Sequence, residues 1–214
     1  METIDKIIKS STEFYNDLKA DEHDRYRSWE HCYSHFMTAR KENDVNLDYL
    51  SLQLAFYLAS WGMYRGSSFL LQKDYRVHIP ILREILSNKY DSLAGIECKD
   101  FRNESNQKLL KEINKFIANY YDVIRREVRG SAVKNNLSDT LITKILMGTL
   151  GCVPAYDRYF VTGIRSQKIA SGTYNIKSIL QLVDFYEKNI EQLDSVQKNF
   201  IVADMLYPQM KILD

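Results

Sequence analysis

The sequence predicts an all-α fold, a single globular domain of roughly eight to ten helices spanning residues 1–214. Only 8 Gly and 3 Pro occur, fewer turn residues than a many-stranded β fold needs. Apolar residues recur at a spacing of three to four in several segments, most clearly from Glu104 to Arg129. A chain of this length buries roughly 70% of its surface on folding, so a core can form without disulfides.

The first three helices are expected at Met1–Lys19, at Asp24–Arg40 and at Leu47–Trp61. Asp44 or Asn46 is expected to cap the third helix, because both side chains can accept a backbone N–H. That third helix is apolar on nearly every side, which predicts a position at the centre of the domain.

The rest of the chain is expected to be helical with short breaks. Ser67 or Ser68 is expected to cap a short segment, residues 91–103 to form a loop with a turn of helix, and Gly130 to stop the long helix. Further helices are expected at His78–Asn88, Glu104–Arg129, Ser138–Leu150, Pro154–Ile164, Ile176–Asn189 after an Asn175 cap, and Asp194–Met205.

Composition indicates a cytoplasmic protein without a membrane span. The three cysteines are far apart and show no metal-binding or disulfide spacing. The N-terminus carries charges throughout, unlike a signal peptide, and no uncharged apolar run reaches 18 residues. Neither a cofactor nor a metal site is assigned.

The charge is unevenly distributed along the chain. Residues 108–177 hold twelve Lys and Arg against five Asp and Glu, while the whole chain has a net charge of +1. Either this basic middle forms one surface that faces a polyanion such as DNA or RNA, or its charges spread over several helices and cancel in space.

Two histidines and one arginine suggest alternative sites in the second helix. His31 and His35 are one helical turn apart, the spacing of helical metal ligands, although no third ligand follows at a fixed offset. Arg25 and His31 form a pattern that resembles the HEPN ribonucleases, in which an arginine binds the phosphodiester and a histidine transfers a proton. The alternative is that both histidines are structural or solvent-exposed.

The segment from Trp61 to Ser68 is a candidate anion site. Arg65 lies between Gly62 and Gly66, whose small size lets a ligand approach the backbone. We expect Arg65 to contact a phosphate or carboxylate, or else to make a structural salt bridge at a tight corner.

The segment Thr143–Ile164 places an apolar helix before Val-Pro-Ala-Tyr-Asp. Over about residues 137–164 it resembles part of the helix-hairpin-helix DNA glycosylase superfamily, while Asn135–Asp139 replaces the glycine hairpin of that superfamily. The resemblance implies that Asp157 is a catalytic carboxylate and that Lys144 is a nucleophile or phosphate contact. The structural alternative makes Asp157 a favourable charge at a helix start, with Pro154 opening that helix.

The basic and aromatic residues around this segment suit a nucleic acid. Phosphates would be bound by arginines and bases stacked on tyrosines. The residues assigned to this role, besides Arg65, are Arg125, Arg129, Arg158 and Tyr156, with Tyr159 as a further stacking candidate.

Three functions are therefore expected, in this order. The first is a nucleic-acid-directed enzyme, glycosylase-like or otherwise acting on a base or phosphodiester. The second is a non-catalytic interaction module or homo-oligomer, for which 15 tyrosines offer contact area. The third is a HEPN-like ribonuclease or a metal enzyme that uses Arg25, His31 and His35.

Overall fold

The protein is described by a computed structural model that covers residues 3–129 and 137–214. The all-α fold class is confirmed, with one small antiparallel hairpin in the described residues. The elements are α1 (Thr3–Ala20), α2 (Arg27–Ala39), α3 (Leu47–Ser60), α4 (Ile79–Ile85), α5 (Glu104–Arg129), α6 (Asp139–Thr149), α7 (Arg158–Ser166), α8 (Ile176–Lys188), α9 (Ile190–Gln197), β1 (Ile201–Val202), β2 (Met205–Leu206) and α10 (Gln209–Ile212).

The segments between α3 and α4 and between α4 and α5 contain four short 3-10 helices. They span Phe69–Gln72, Tyr75–His78, Asn88–Leu93 and Cys98–Arg102. Ser68 caps the first of them through its side chain, as expected from the sequence. The last two occupy the region where a loop with a turn of helix was expected.

Side-chain caps begin several helices where the sequence predicts them. The side chain of Asn46 accepts the Tyr49 N–H at the start of α3, and Ser138 and Asn175 do the same for α6 and α8. Gly151, at φ 63°, ends α6 in a conformation that favours glycine. Gly130, the expected stop of α5, lies outside the described residues.

Two helix boundaries expected from the sequence are wrong. Pro154 does not open a helix, because residues 154–156 are irregular and α7 begins at Arg158 with Asp157 as its N-cap. The helix expected at Asp194–Met205 ends at Gln197 and is followed by the β1–β2 hairpin. The hairpin turn uses Ala203 and Asp204, both with positive φ.

The core is centred on α2, α3 and α6, which pack against one another. Trp29 on α2 is fully buried and donates its indole N–H to the Met147 carbonyl of α6. A Cβ atom at Gly148 would lie 2.5 Å from the Tyr57 ring, so α6 approaches α3 closely only because residue 148 is glycine.

The expectation that α3 is surrounded by the core is wrong for one face. Its inner face buries Leu54 and Leu58, but Tyr49, Leu52 and Phe56 are 41–58% exposed. These three residues lie three and four positions apart, so they form one stripe along the helix.

Within residues 3–129 and 137–214, no helix combines the length and apolar character needed to cross a membrane. All three cysteines are buried free thiols.

Candidate functional site

A cavity of about 590 Å³ lies between α1, α7 and the C-terminal segment. This volume falls within the range of small-molecule sites in proteins. We call it the α1–α7 cavity. Its walls include Ile7, Phe14, Trp61, Phe160, Ile164, Leu182, Phe200, Tyr207 and Ile212, and its polar lining includes Lys6, Ser10, Asp157, Tyr159, Gln167, Lys211 and Asp214.

Helix α1 forms one wall of the cavity and is held to the opposite elements by side-chain hydrogen bonds. Thr3 Oγ1 donates to Gln167 Oε1 at 3.1 Å, and Ser11 Oγ donates to the Ile212 carbonyl at 3.1 Å. Ile4 and Leu18 are the buried residues of α1. Between them, Ile7 and Phe14 line the cavity, while Ile8 and Tyr15 pack against the core.

Asp157 lies at the cavity wall because it is the N-cap of α7. Its Oδ1 accepts the backbone N–H groups of Tyr159 at 2.9 Å and Phe160 at 3.1 Å. These bonds satisfy two of the free N–H groups at the helix start and fix the carboxylate orientation. The side chain is 24% exposed, so the carboxylate is open to the cavity.

The structure brings together Lys144 and Asp157, the two candidate catalytic residues of the sequence analysis. Lys144 Nζ lies 3.3 Å from Asp157 Oδ2 and donates to the Trp61 carbonyl at 2.8 Å. The Lys144 side chain is only 6% exposed and is not part of the cavity lining, whereas Asp157 and Trp61 are. The ammonium therefore lies behind these two residues, which fits a group that positions Asp157 better than a nucleophile.

A second lysine–aspartate pair, which the sequence reasoning missed, lines the same cavity. Lys211 Nζ donates to Asp214 Oδ2 at 2.8 Å, and both side chains are less than a tenth exposed. Asp214 Oδ1 accepts the Ala155 N–H at 2.7 Å, which ties the C-terminal segment to the loop before α7. The available signal was a lysine within the apolar run Met210–Leu213.

Lys211 is surrounded by aromatic rings. Its Nζ lies 5.1 Å from the ring centroid of Phe14, 5.2 Å from that of Trp29 and 4.8 Å from that of Trp61. Lys144 Nζ lies 5.8 Å from the Trp61 centroid. Both ammonium groups thus make cation–π contacts with the same indole ring.

Arg65 is exposed and is not among the described residues that line the cavity. Its guanidinium packs over Gly62, where a Cβ atom would lie 3.2 Å from Cζ and Nε. The structure therefore does not bring Arg65 together with Lys144 and Asp157. Its assignment as an anion contact remains a prediction separate from this site.

Tyr156 does not fit the predicted role of stacking on a base. The residue is 4% exposed, and its hydroxyl hydrogen-bonds to Ser178 Oγ at 2.9 Å. Burial raises the pKa of Tyr156 to about 12. The ring is therefore part of the core beneath α7, and an incoming base cannot reach it in this conformation.

The neighbouring residues of α7 are better placed for such contacts. Tyr159 is 76% exposed and lines the cavity. The Arg158 guanidinium lies 4.9 Å from the Tyr159 ring centroid and donates to its hydroxyl at 3.1 Å. Arg158 and Tyr159 thus present a cation and a ring side by side at the mouth of the cavity.

The other two predicted arginines belong to α5. Arg125 lies 3.3 Å from Asp122, one turn earlier on the same helix, and is 14% exposed. Neither Arg125 nor Asp122 is among the described residues that line the cavity. The Arg129 side chain lies outside the described residues. Within the described residues, the positive charges of the basic middle are therefore spread over several elements, among them α5, the buried Lys144, α7 and α8.

The histidines of α2 are not arranged as a metal site. The described part of the chain contains no group of three or more His, Cys, Asp or Glu side chains placed to hold a metal ion. His35 Nε2 hydrogen-bonds to the Tyr49 hydroxyl at 3.0 Å, and burial together with nearby His31 lowers the pKa of His35. The Arg25 guanidinium stacks on the Tyr26 ring before α2 begins.

Comparisons of the chain with known protein families, with curated proteins and with solved structures found no match. The geometry alone defines the candidate site, an aromatic-walled cavity in a helical protein. Its lining includes the Lys211–Asp214 pair and Asp157, which Lys144 contacts from behind the wall. Such a site can stack a planar ring, exchange hydrogen bonds with its edge and stabilise a positive charge that develops nearby.

Proposed function

We propose that the protein binds a nucleobase in the α1–α7 cavity and cleaves the bond between that base and its sugar. The observation that carries the proposal is the Asp157 carboxylate, open to a cavity of about 590 Å³ and held 3.3 Å from the Lys144 ammonium. The local resemblance of residues 137–164 to the helix-hairpin-helix glycosylases implies the same two residues, and it supports the proposal independently of the distance.

The shape and charge of the cavity support a base as the ligand. Phe14, Trp61 and Tyr159 line the cavity, and stacking on aromatic side chains stabilises bound bases by about 1–3 kcal/mol each. Asp157 is paired with Lys144 behind the wall and Asp214 is paired with Lys211 within the lining, so these two pairs add no net charge at the cavity. A neutral ring with polar edges fits this lining better than a free anion, which would also face Asp157 and Asp214.

The position of Asp157 supports cleavage of the glycosidic bond. As that bond breaks, its electron pair leaves with the base and positive charge develops on the sugar, where a fixed carboxylate is stabilising. Water then adds to the sugar carbon, and the proton that it loses ends on the departing base. Lys144 acts as a positioning residue, because it holds Asp157 Oδ2 from behind the wall.

Positive charge near the mouth of the cavity supports a nucleic acid as the source of the base. Lys6 lines the cavity, Arg158 begins α7, and Lys168 lies between the lining residues Gln167 and Ile169; all three are exposed. Exposed lysines and arginines bind phosphates in a manner that weakens with added salt.

The experiment measures release of free base from single-stranded oligonucleotides and from nucleosides, separated by chromatography. Asp157→Asn keeps a side chain able to cap α7 but removes the charge, and is expected to slow release by about a hundredfold or more. The matched control is Asp184→Asn, at an exposed carboxylate paired with Arg102 on the surface. Absence of base release from every substrate, or equal release by wild type and Asp157→Asn, would overturn the proposed chemistry.

A further inference from the structure

Lys211 carries hydrogen-bond donors that the protein itself does not use. An ammonium has three N–H donors, and within the described residues Asp214 is the one acceptor bonded to Lys211 Nζ. The rings of Phe14, Trp29 and Trp61 stabilise its charge but offer no lone pair. Because the residue is more than nine-tenths buried yet belongs to the lining of the α1–α7 cavity, a ligand in that cavity is the acceptor within reach of its remaining donors.

Trp61 supplies a second unused donor at the same place. Its Nε1 is buried and makes no hydrogen bond within the described part of the chain. A buried donor without an acceptor is destabilising, and a ligand acceptor can satisfy this N–H once the indole ring turns to bring the nitrogen to the cavity surface. Lys211 Nζ lies 4.8 Å from the centroid of this ring, so the ammonium and the indole are direct neighbours at the cavity wall.

We infer that Lys211 is the specificity-determining residue of the cavity and that it selects bases carrying an exocyclic carbonyl oxygen. A carbonyl oxygen has two lone pairs and can accept from both Lys211 and Trp61, whereas an exocyclic amino group is itself a donor and would face two donors. The cage of three rings and the bond to Asp214 fix the ammonium, so it cannot turn away from a mismatched group. This inference rests on the proposed function.

The direct test compares binding of inosine and adenosine by calorimetry, because these nucleosides differ in a carbonyl or an amino group at one ring position. Wild type is expected to bind inosine roughly ten- to a hundredfold more tightly, the range for a hydrogen bond to a charged donor. Lys211→Met keeps the length and apolar stem of the side chain, and is expected to lose this preference while still binding adenosine. The matched control is Lys198→Met, because Lys198 is an exposed lysine directly after α9 and does not line the cavity.

The preference separates a specificity role from a structural one. If Lys211 only supported the fold, Lys211→Met would weaken the binding of inosine and adenosine equally. The ratio of the two affinities would then stay unchanged, which would overturn the inference. Trp61→Phe keeps a ring but removes the N–H, and it is expected to reduce the same ratio; it serves if Lys211→Met does not fold. A wild-type protein that binds both nucleosides equally overturns the inference alone, while one that binds neither overturns the proposed function as well.

Discussion

The imidazole of His78 is buried between two tyrosine hydroxyls. Its Nε2 hydrogen-bonds to the Tyr64 hydroxyl at 2.7 Å and its Nδ1 to the Tyr121 hydroxyl. Burial lowers the pKa of His78 from 6.5 to about 3 and raises the pKa of both tyrosines, so all three groups are neutral near pH 7. The three side chains link the 3-10 helix Tyr75–His78 to α5 without any charge.

This histidine makes stability sensitive to acid. Since the unfolded chain binds a proton near pH 6.5 and the folded chain only near pH 3, this contribution is constant above pH 6.5 and is lost progressively below it. We expect a loss of about 2 kcal/mol between pH 7 and pH 5, measured by urea unfolding. His78→Gln is less stable at pH 7 but should lack this part of the pH dependence. An identical pH dependence in the two proteins would contradict the assignment.

Single residues of the site were predictable only where local sequence determines their position. Asp157 and Lys144 belong to consecutive helices, and the short connection between α6 and α7 brings them together. Lys211 and Asp214 reach the same cavity through contacts with α1, α2 and the α6–α7 loop, which lie far away in the sequence. No local pattern reports such contacts, so this pair was missed.

Helices α6 and α7 each contain one glycine. Gly148 on α6 is tightly packed and Gly163 on α7 is not, so the same substitution is expected to have opposite effects on stability. A Cβ atom at Gly148 would lie 2.5 Å from the Tyr57 ring, whereas at Gly163 it would meet nothing within 4 Å. Gly148→Ala should therefore lower the free energy of unfolding by about 1–3 kcal/mol through overpacking. Gly163→Ala should raise it by about 0.5–1 kcal/mol, because alanine favours the helix. Denaturant titrations that gave both variants the same sign would contradict this packing.

Helix boundaries were predictable where a local cap sets them and not where distant side chains do. Asn46, Ser138 and Asn175 were identified because each bonds to N–H groups within three residues. The start of α7 was misplaced because the backbone of residues 155 and 156 is satisfied from afar. Asp214 accepts the N–H of Ala155, and Thr143 accepts that of Tyr156. Extended backbone held in this way has no signature of its own in the sequence.

The β1–β2 hairpin was missed for a related reason. Two-residue hairpin turns usually carry glycine or asparagine, since both central residues adopt positive φ. Here Ala203 and Asp204 occupy these positions, at φ 45° and 63°. Packing of Phe200 and Tyr207 against Tyr15 holds the two ends of the hairpin and overrides the local preference.

At the scale of the whole molecule, aromatic residues form both the filled core and the walls of the cavity. Rings from α2 and α3 fill the centre, while Phe14, Trp61, Phe200 and Tyr207 surround a space that α1 covers but does not fill. Composition and periodicity predicted the helical class and a large core. The cavity depends on how α1 is held against the end of α7 and against α10, through contacts such as Thr3–Gln167 and Ser11–Ile212, which the sequence pattern does not specify.

The central claim, that the α1–α7 cavity holds the ligand, is tested most directly by filling it. Gly163→Leu places a side chain into open space within the cavity, while Thr162→Leu adds a similar side chain on the exposed face of the same helix. Calorimetric titration with inosine and with a single-stranded oligonucleotide should show at least about a tenfold loss of affinity in Gly163→Leu and no change in Thr162→Leu. Equal affinity in wild type and Gly163→Leu, or no binding by wild type, would contradict the claim.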